Sequence, residues 1–195
     1  MRVLIACEFS GVVRNAFLKK GHDAWSCDLI PSESEPYWRH FQSDIKNVLW
    51  FDNPKWDLMI AHPPCTHLAV SGARWFKDKR VEQQQALDFI KVLLDAPIDK
   101  ICLENPVGII STRIRKPDQI IQPWQYGHPE AKKTCLWLKG LDLLTPTNIL
   151  PLPECGYWDN QTPSGQNKLG PSEDRWKLRS ITYQGIADAM AEQWG

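Results

Sequence analysis

The chain has no surplus charge of either sign: 23 lysines and arginines stand against 23 aspartates and glutamates over 195 residues. A global electrostatic pull towards nucleic acid is therefore absent, and any phosphate-binding face has to be local. Long apolar runs are missing as well. None approaches the roughly 20 residues of a membrane-spanning helix, and Val3-Leu4-Ile5-Ala6-Cys7, directly behind Met1-Arg2, is shorter than the apolar core of a secretory signal. Nor is there a cysteine framework. Cys7, Cys27, Cys65, Cys102, Cys135 and Cys155 show no paired spacing. Neither His62, Cys65 and His67 nor Cys135 with Cys155 supplies the four ligands of a structural zinc site. These absences lead us to expect a reduced, cytoplasmic protein without a metal.

What is present reads as one α/β domain, because the length suits a single well-packed core and is short for two ordinary domains. Strands are expected near 2–7, 23–28, 56–61, 100–104 and 133–138, and helices near 12–20, 79–95 and 183–194. In the middle helix Ala86, Leu87, Ile90, Leu93 and Leu94 recur at spacings of three and four, and Asp95-Ala96-Pro97 ends it. Tyr183, Ile186, Ala187, Met190 and Trp194 make a similar stripe. Strands alternating with helices predict a doubly wound, mostly parallel sheet covered on both faces. Between 140 and 180, Pro146, Pro151, Pro153, Pro163 and Pro171 break any period. The expected organisation is a core over 1–139, a small loop-rich lobe over 140–180, and a helix over 181–195 that packs back on the core.

Two strand endings carry the chemistry. Trp56-Asp57-Leu58-Met59-Ile60-Ala61 runs into His62-Pro63-Pro64-Cys65, and the two prolines stop the strand and hold the next side chain in a stiff loop. Lys100-Ile101-Cys102-Leu103 likewise runs into Glu104-Asn105-Pro106, which sets Glu104 at the same sheet edge. Ligands of open α/β sheets bind beyond that edge. Two readings stand for Cys65: a buried inert thiol, as most free cysteines are, or a nucleophile. Glu104 either caps a turn before Pro106 or serves as an acid. A carboxylate is a poor neighbour for making a thiolate, but it suits a ring substrate whose nitrogen gains a proton as sulfur attacks carbon.

Taken in order along the chain, these segments resemble the C5-cytosine DNA methyltransferases, especially short phage and prophage versions. Phe9-Ser10-Gly11, after the first strand, is similar to the family's cofactor turn. Asp28 stands where the family has an acid for the cofactor ribose, and Ser43-Asp44-Ile45 resembles the Gly-Asp-Ile that holds the adenine. Pro63-Pro64-Cys65 with Ser71-Gly72 is similar to the nucleophile motif, and Glu104-Asn105-Pro106-Val107 to Glu-Asn-Val. Tyr126-Gly127-His128-Pro129-Glu130-Ala131-Lys132-Lys133 resembles a divergent form of Tyr-Gly-Val-Pro-Gln-x-Arg-x-Arg, and Tyr183 to Met190 the closing helix. The resemblance implies a Rossmann-like fold that binds S-adenosylmethionine through Phe9, Ser10, Gly11, Asp28, Asp44 and Pro63. It also implies methyl transfer to C5 of cytosine in DNA, with Cys65 bonded to C6 and Glu104 on the N3 edge.

The departures are specific. Val13 replaces a second glycine of the cofactor turn, lysines replace two arginines, and about 40 residues stand where the family inserts a larger target-recognition domain. A homodimer or a separate protein would then supply any missing reader of bases. Local charge favours phosphate near the chemistry: Arg74, Lys77, Lys79 and Arg80 oppose Asp78, while Arg113, Arg115, Lys116, Lys132, Lys133 and Lys139 oppose Asp118 and Glu130. Arg74, Arg80, Arg113, Arg115, Lys132 and Lys133 are the substrate candidates. Trp75, Trp124, Trp158 and Trp176 either stack on an extruded base or pack the lobe. Two alternatives remain: C5 modification of a free pyrimidine nucleotide or RNA, and an idle protein that only binds cofactor or nucleic acid.

Overall fold

The computed structural model describes residues 1–50, 55–69, 79–164, 167–170 and 172–195. Ser71, Gly72, Arg74, Trp75, Lys77 and Pro171 of the sequence reading lie outside them. Seven strands form one sheet: β1 (Arg2–Ala6), β2 (Asp23–Asp28), β3 (His40–Gln42), β4 (Leu58–Ala61), β5 (Lys100–Pro106), β6 (Gln119–Ile121) and β7 (Thr134–Lys139). Their order is β3-β2-β1-β4-β5-β7-β6, parallel from β3 to β5 and antiparallel at both edges of β7. The helices are α1 (Val12–Lys19), α2 (Lys46–Leu49), α3 (Arg80–Leu94), α4 (Ile110–Arg113), α5 (Arg175–Ser180) and α6 (Gln184–Trp194). The fold is α/β, with a mostly parallel sheet between helices, as expected.

The central strands are apolar along their whole length because both faces are covered. Alternate side chains enter different cores. Leu4, Met59, Ile101 and Leu103 face Leu87, Ile90 and Leu93 of α3. Val3, Ile5, Leu58 and Ile60 face Val13 and Phe17 of α1 and Ile186, Met190 and Trp194 of α6. Fully burying a side chain such as Phe17 or Ile60 contributes about 1.5–3 kcal/mol, so each stripe is enough to fix its helix on the sheet.

The reversed strand has a plain cause. Residues 122–133, between β6 and β7, hold only a single 3-10 turn at Pro123–Gln125, too little for the helical crossover that a parallel neighbour needs. The chain therefore turns straight back. Successive strands move outward from β1 on one side through β2 and β3, and on the other through β4 and β5. The crevice opens where they part, beyond the carboxyl ends of β1 and β4. Among the described residues no helix is long and apolar enough to cross a membrane.

Candidate active site

At the end of β1 the backbone turns sharply, with Cys7 at φ 59° and Gly11 at φ 72°. A larger residue at Gly11 would be strained at this φ, and its Cβ would crowd the Ser34 hydroxyl oxygen at 2.1 Å. Between them Glu8 is buried, accepting hydrogen bonds from the backbone N–H of Val13 at 2.7 Å and of Arg14 at 3.2 Å. It thereby places a carboxylate against the first turn of α1, where unpaired N–H groups favour negative charge. Burial nonetheless pushes the Glu8 carboxyl up, against the lowering influence of His62 and those two N–H groups. Val13 turns its side chain into the core.

Asp28 and Asp44 converge on the same turn. Burial pushes the Cys7 thiol far up, and both carboxylates push it further; Cys27 beneath them is raised to about 12, again chiefly by burial. Asp28 Oδ1 accepts the Ile30 N–H at 3.2 Å, and Asp44 Oδ1 accepts the Lys46 N–H at 2.9 Å, so each also braces its own turn. The rim between them is held by a residue that the sequence did not single out. Arg14 is fully buried and donates to Ser26 Oγ, Ser32 Oγ and the carbonyls of Ser34 and Glu35 at 2.7–3.2 Å. An arginine in an amphipathic helix ordinarily reads as solvent-facing. Phe9 is buried under Trp176 of α5, with ring centroids 5.8 Å apart, and Lys177 of the same helix pairs with Glu33. The space left between Ser10, His62 and Thr182 is ≈ 30 Å³.

Beyond β4 and β5 the strand-end residues meet. The buried Asn105 side chain donates to the Pro63 carbonyl at 2.8 Å and ties the cysteine loop to β5. Residues 65–69 then turn back, with the Leu68 and Ala69 N–H groups donating to the Cys65 carbonyl. Leu68 O in turn accepts the Ile109 N–H at 2.9 Å. Gly108 permits this approach, because a Cβ there would come within 2.2 Å of the Leu68 carbonyl oxygen. Cys65 is half-buried. Burial pushes its thiol up and Glu104 adds to this, while Arg179 and Lys132 pull it back in part.

Glu104 has the opposite balance. Burial works to raise its carboxyl, yet the His62 hydrogen bond and charge, Lys132 and the Thr134 hydroxyl together hold it below the usual carboxylate range. His62 Nδ1 lies 3.0 Å from Glu104 Oε2, and both side chains are largely out of solvent. In the free protein, then, the thiol is protonated and the carboxylate ionised. Lys132 and Arg179, whose charges act on Cys65, line a cleft of ≈ 1030 Å³ together with Pro106, Val107, Lys133, Lys168 and residues of the lobe; Cys65 and Glu104 are not themselves among its lining residues.

The cleft wall is fastened through Glu130, which accepts hydrogen bonds from the Tyr183 hydroxyl at 2.5 Å and from Asn160 Nδ2 at 3.3 Å. Lys132 Nζ donates to the Arg179 carbonyl at 2.7 Å. Lys132 and Lys133 thus border the cleft. Arg80 and Arg113 are exposed but outside the cleft lining, and Arg115 is engaged with Asp118 at 2.7 Å and with the Leu138 carbonyl at 2.8 Å. Arg179 and Lys168 were not singled out in the sequence, since they lie in stretches with no period or motif. Among the described residues no cluster of three His, Cys, Asp or Glu is gathered as for a metal ion.

Neither a protein-family model nor a curated protein sequence matches the chain. Among solved structures, it is similar to a protein provisionally named as a DNA modification methyltransferase encoded within a prophage (E. coli). The identity is 16%, the TM-score is 0.48, and the match covers 77% of this chain and 52% of that one. The chain therefore spans about half the length of that protein.

Proposed function

We propose that the protein is an S-adenosylmethionine-dependent methyltransferase acting on C5 of cytosine in DNA. The observation that carries this reading is that Glu104 of β5 acts on the thiol of Cys65, which follows β4, while Lys132 and Arg179 of the basic cleft act on the same thiol in the opposite sense. The cofactor supplies the methyl group. Cys65 Sγ bonds to C6 of the ring, Glu104 engages N3 and the exocyclic amine, and C5 takes the methyl group. Water, acting as base, then takes the C5 proton, which expels the thiolate and restores the double bond, and the proton held at N3 returns through Glu104 to the sulfur. Since Sγ begins protonated and Glu104 ionised, the proton lost from sulfur can pass through Glu104 to N3, which keeps the charge balanced as the adduct forms. Lys132 and Arg179 stabilise the negative sulfur. In duplex DNA the target cytosine has to leave the stack to reach both groups.

Asp28, Asp44 and the Phe9-Ser10-Gly11 turn offer acceptors and an aromatic face to ribose and adenine at the switch point. Asp28→Ala and Asp44→Ala are each expected to weaken S-adenosylmethionine binding, by about 1–3 kcal/mol if the bound ligand buries the hydrogen bond that is lost. Calorimetry that finds unchanged affinity in both variants removes this cofactor site.

The direct test gives the protein methyl-labelled S-adenosylmethionine with, separately, duplex DNA, single-stranded DNA, RNA and dCMP. Label in cytosine of DNA is expected. Label in RNA or dCMP alone would redirect the substrate, and tight cofactor binding without any transfer would mark an idle binding protein.

A further inference from the structure

A lysine carries its charge on a flexible four-carbon stem, so its ammonium serves a site only where something holds it. Lys132 is held at three points. Its backbone N–H donates to Gln122 Oε1 at 2.9 Å, its Nζ donates to the Arg179 carbonyl at 2.7 Å, and the same Nζ stands over the Tyr183 ring, 5.5 Å from its centre. At that range an ammonium is drawn to the negative face of the aromatic quadrupole. The ring is itself fixed. Tyr183 leads into α6, whose Ile186, Met190 and Trp194 are buried against the sheet, and its hydroxyl donates to Glu130 Oε2 at 2.5 Å. Burial and Glu130 push that hydroxyl far up, so it stays protonated and donates. His128 packs against the same ring, with centroids 5.2 Å apart, and accepts the Gly185 N–H of α6 at 2.9 Å. Glu130 and Lys132 share one short segment, so the stretch that carries the ammonium also anchors the ring beneath it.

Resting on the reading of Cys65 and Glu104 above, we propose that Tyr183 is a positioning residue, an aromatic platform anchored by Glu130 that holds the Lys132 ammonium where it serves both reacting groups. The charge of Lys132 draws the Cys65 thiol back from the rise that burial and Glu104 impose, and it helps to keep Glu104 ionised. A hydroxyl that donates to a carboxylate leaves its ring richer in electrons, so Glu130 strengthens the platform as well as fixing it. The platform also answers the replacement of arginine by lysine at this position: the arginine fork is pre-organised, whereas a lysine needs a support. No bond or proton is exchanged at Tyr183. Its hydrogen bond to Glu130 spans 53 residues of sequence, so the two carry no common pattern along the chain.

Alkylation of Cys65 by iodoacetamide across a pH series tests this without cofactor or nucleic acid, because only the thiolate reacts. Peptide mapping keeps Cys65 apart from the exposed Cys155. Lys132→Met should move the midpoint of the profile to higher pH and slow alkylation at neutral pH. Tyr183→Leu should move it the same way, slowing alkylation about two- to fivefold, the strength of an ammonium–aromatic contact at a partly exposed site. The decisive comparison is the double variant: once Lys132 is methionine, Tyr183→Leu should change the profile no further. Tyr183→Phe keeps the ring and its packing but loses the Glu130 bond, so it should give a smaller slowing that also disappears without Lys132, and it carries the test if Tyr183→Leu does not fold. A profile unmoved by both Tyr183 variants, or one that they shift equally with and without Lys132, would overturn the proposal. Methyl transfer is read separately: its absence from the wild type would remove the methyltransferase reading, while the alkylation profiles alone decide the placement of Lys132.

Discussion

DNA carrying 5-fluorocytosine should become covalently attached to Cys65 in the presence of S-adenosylmethionine, as an adduct that survives denaturant. Fluorine cannot leave C5 as a proton does, so the enzyme stalls after methyl transfer with sulfur still bonded to C6. Cys65→Ala should form no adduct at all, an effect larger than any change in affinity. The other thiols cannot easily substitute. Cys102 and Cys135 are buried within β5 and β7 and raised by that burial, and Cys155 lies exposed in the lobe. Because burial and Glu104 hold the Cys65 thiol protonated, adduct formation should also quicken as the pH rises through the neutral range. Peptide mapping of the trapped complex identifies the attached residue. An undiminished adduct in Cys65→Ala, or attachment through another cysteine, would sink the assignment of the nucleophile.

The end of β4 before Cys65 was legible because two prolines punctuate the apolar run, whereas β5 continues through Glu104 and Asn105 to Pro106, two residues past the expected end, because it pairs with β7 there. The stripes of α3 and α6 were legible for a related reason: a helix against a sheet needs an apolar residue every three or four positions. The three-residue strands β3 and β6 and the short helices α2 and α4 are too brief to establish a period, so their existence depends on neighbours remote in sequence. The direction of β7 was likewise invisible, since an apolar run such as Cys135-Leu136-Trp137 fits either polarity. Charge proved the least readable quantity. Arg115 and Lys132 lie in the same basic stretch of sequence, but one is spent on Asp118 and a strand carbonyl while the other borders the cleft. Arg14 is the extreme case, a buried cation held by hydroxyls and carbonyls that come from a loop about 20 residues away.

Glu104→Gln is expected to lower methyl transfer by at least about a hundredfold, the lower range for loss of an acid or base in the transition state. The amide keeps the size of the side chain and one acceptor for His62 Nδ1, so the loop geometry around Asn105 and Pro63 should persist and cofactor binding should be little changed. What it cannot do is take up the proton that sulfur releases and deliver one to N3. The linkage between protonation and folding gives an independent check on the variant. Glu104 is held below the ordinary carboxylate range in the folded protein. Its ionised form therefore adds stability that is fully present above that range and is lost as the pH falls through the folded-state value. Replacing it with Gln should remove this contribution, so the wild type's stability advantage over the variant should shrink on acidification. Urea unfolding of both proteins across the acid range measures it. A variant that binds cofactor normally and transfers methyl groups at the wild-type rate would return Glu104 to a purely structural role, anchoring His62 from within β5.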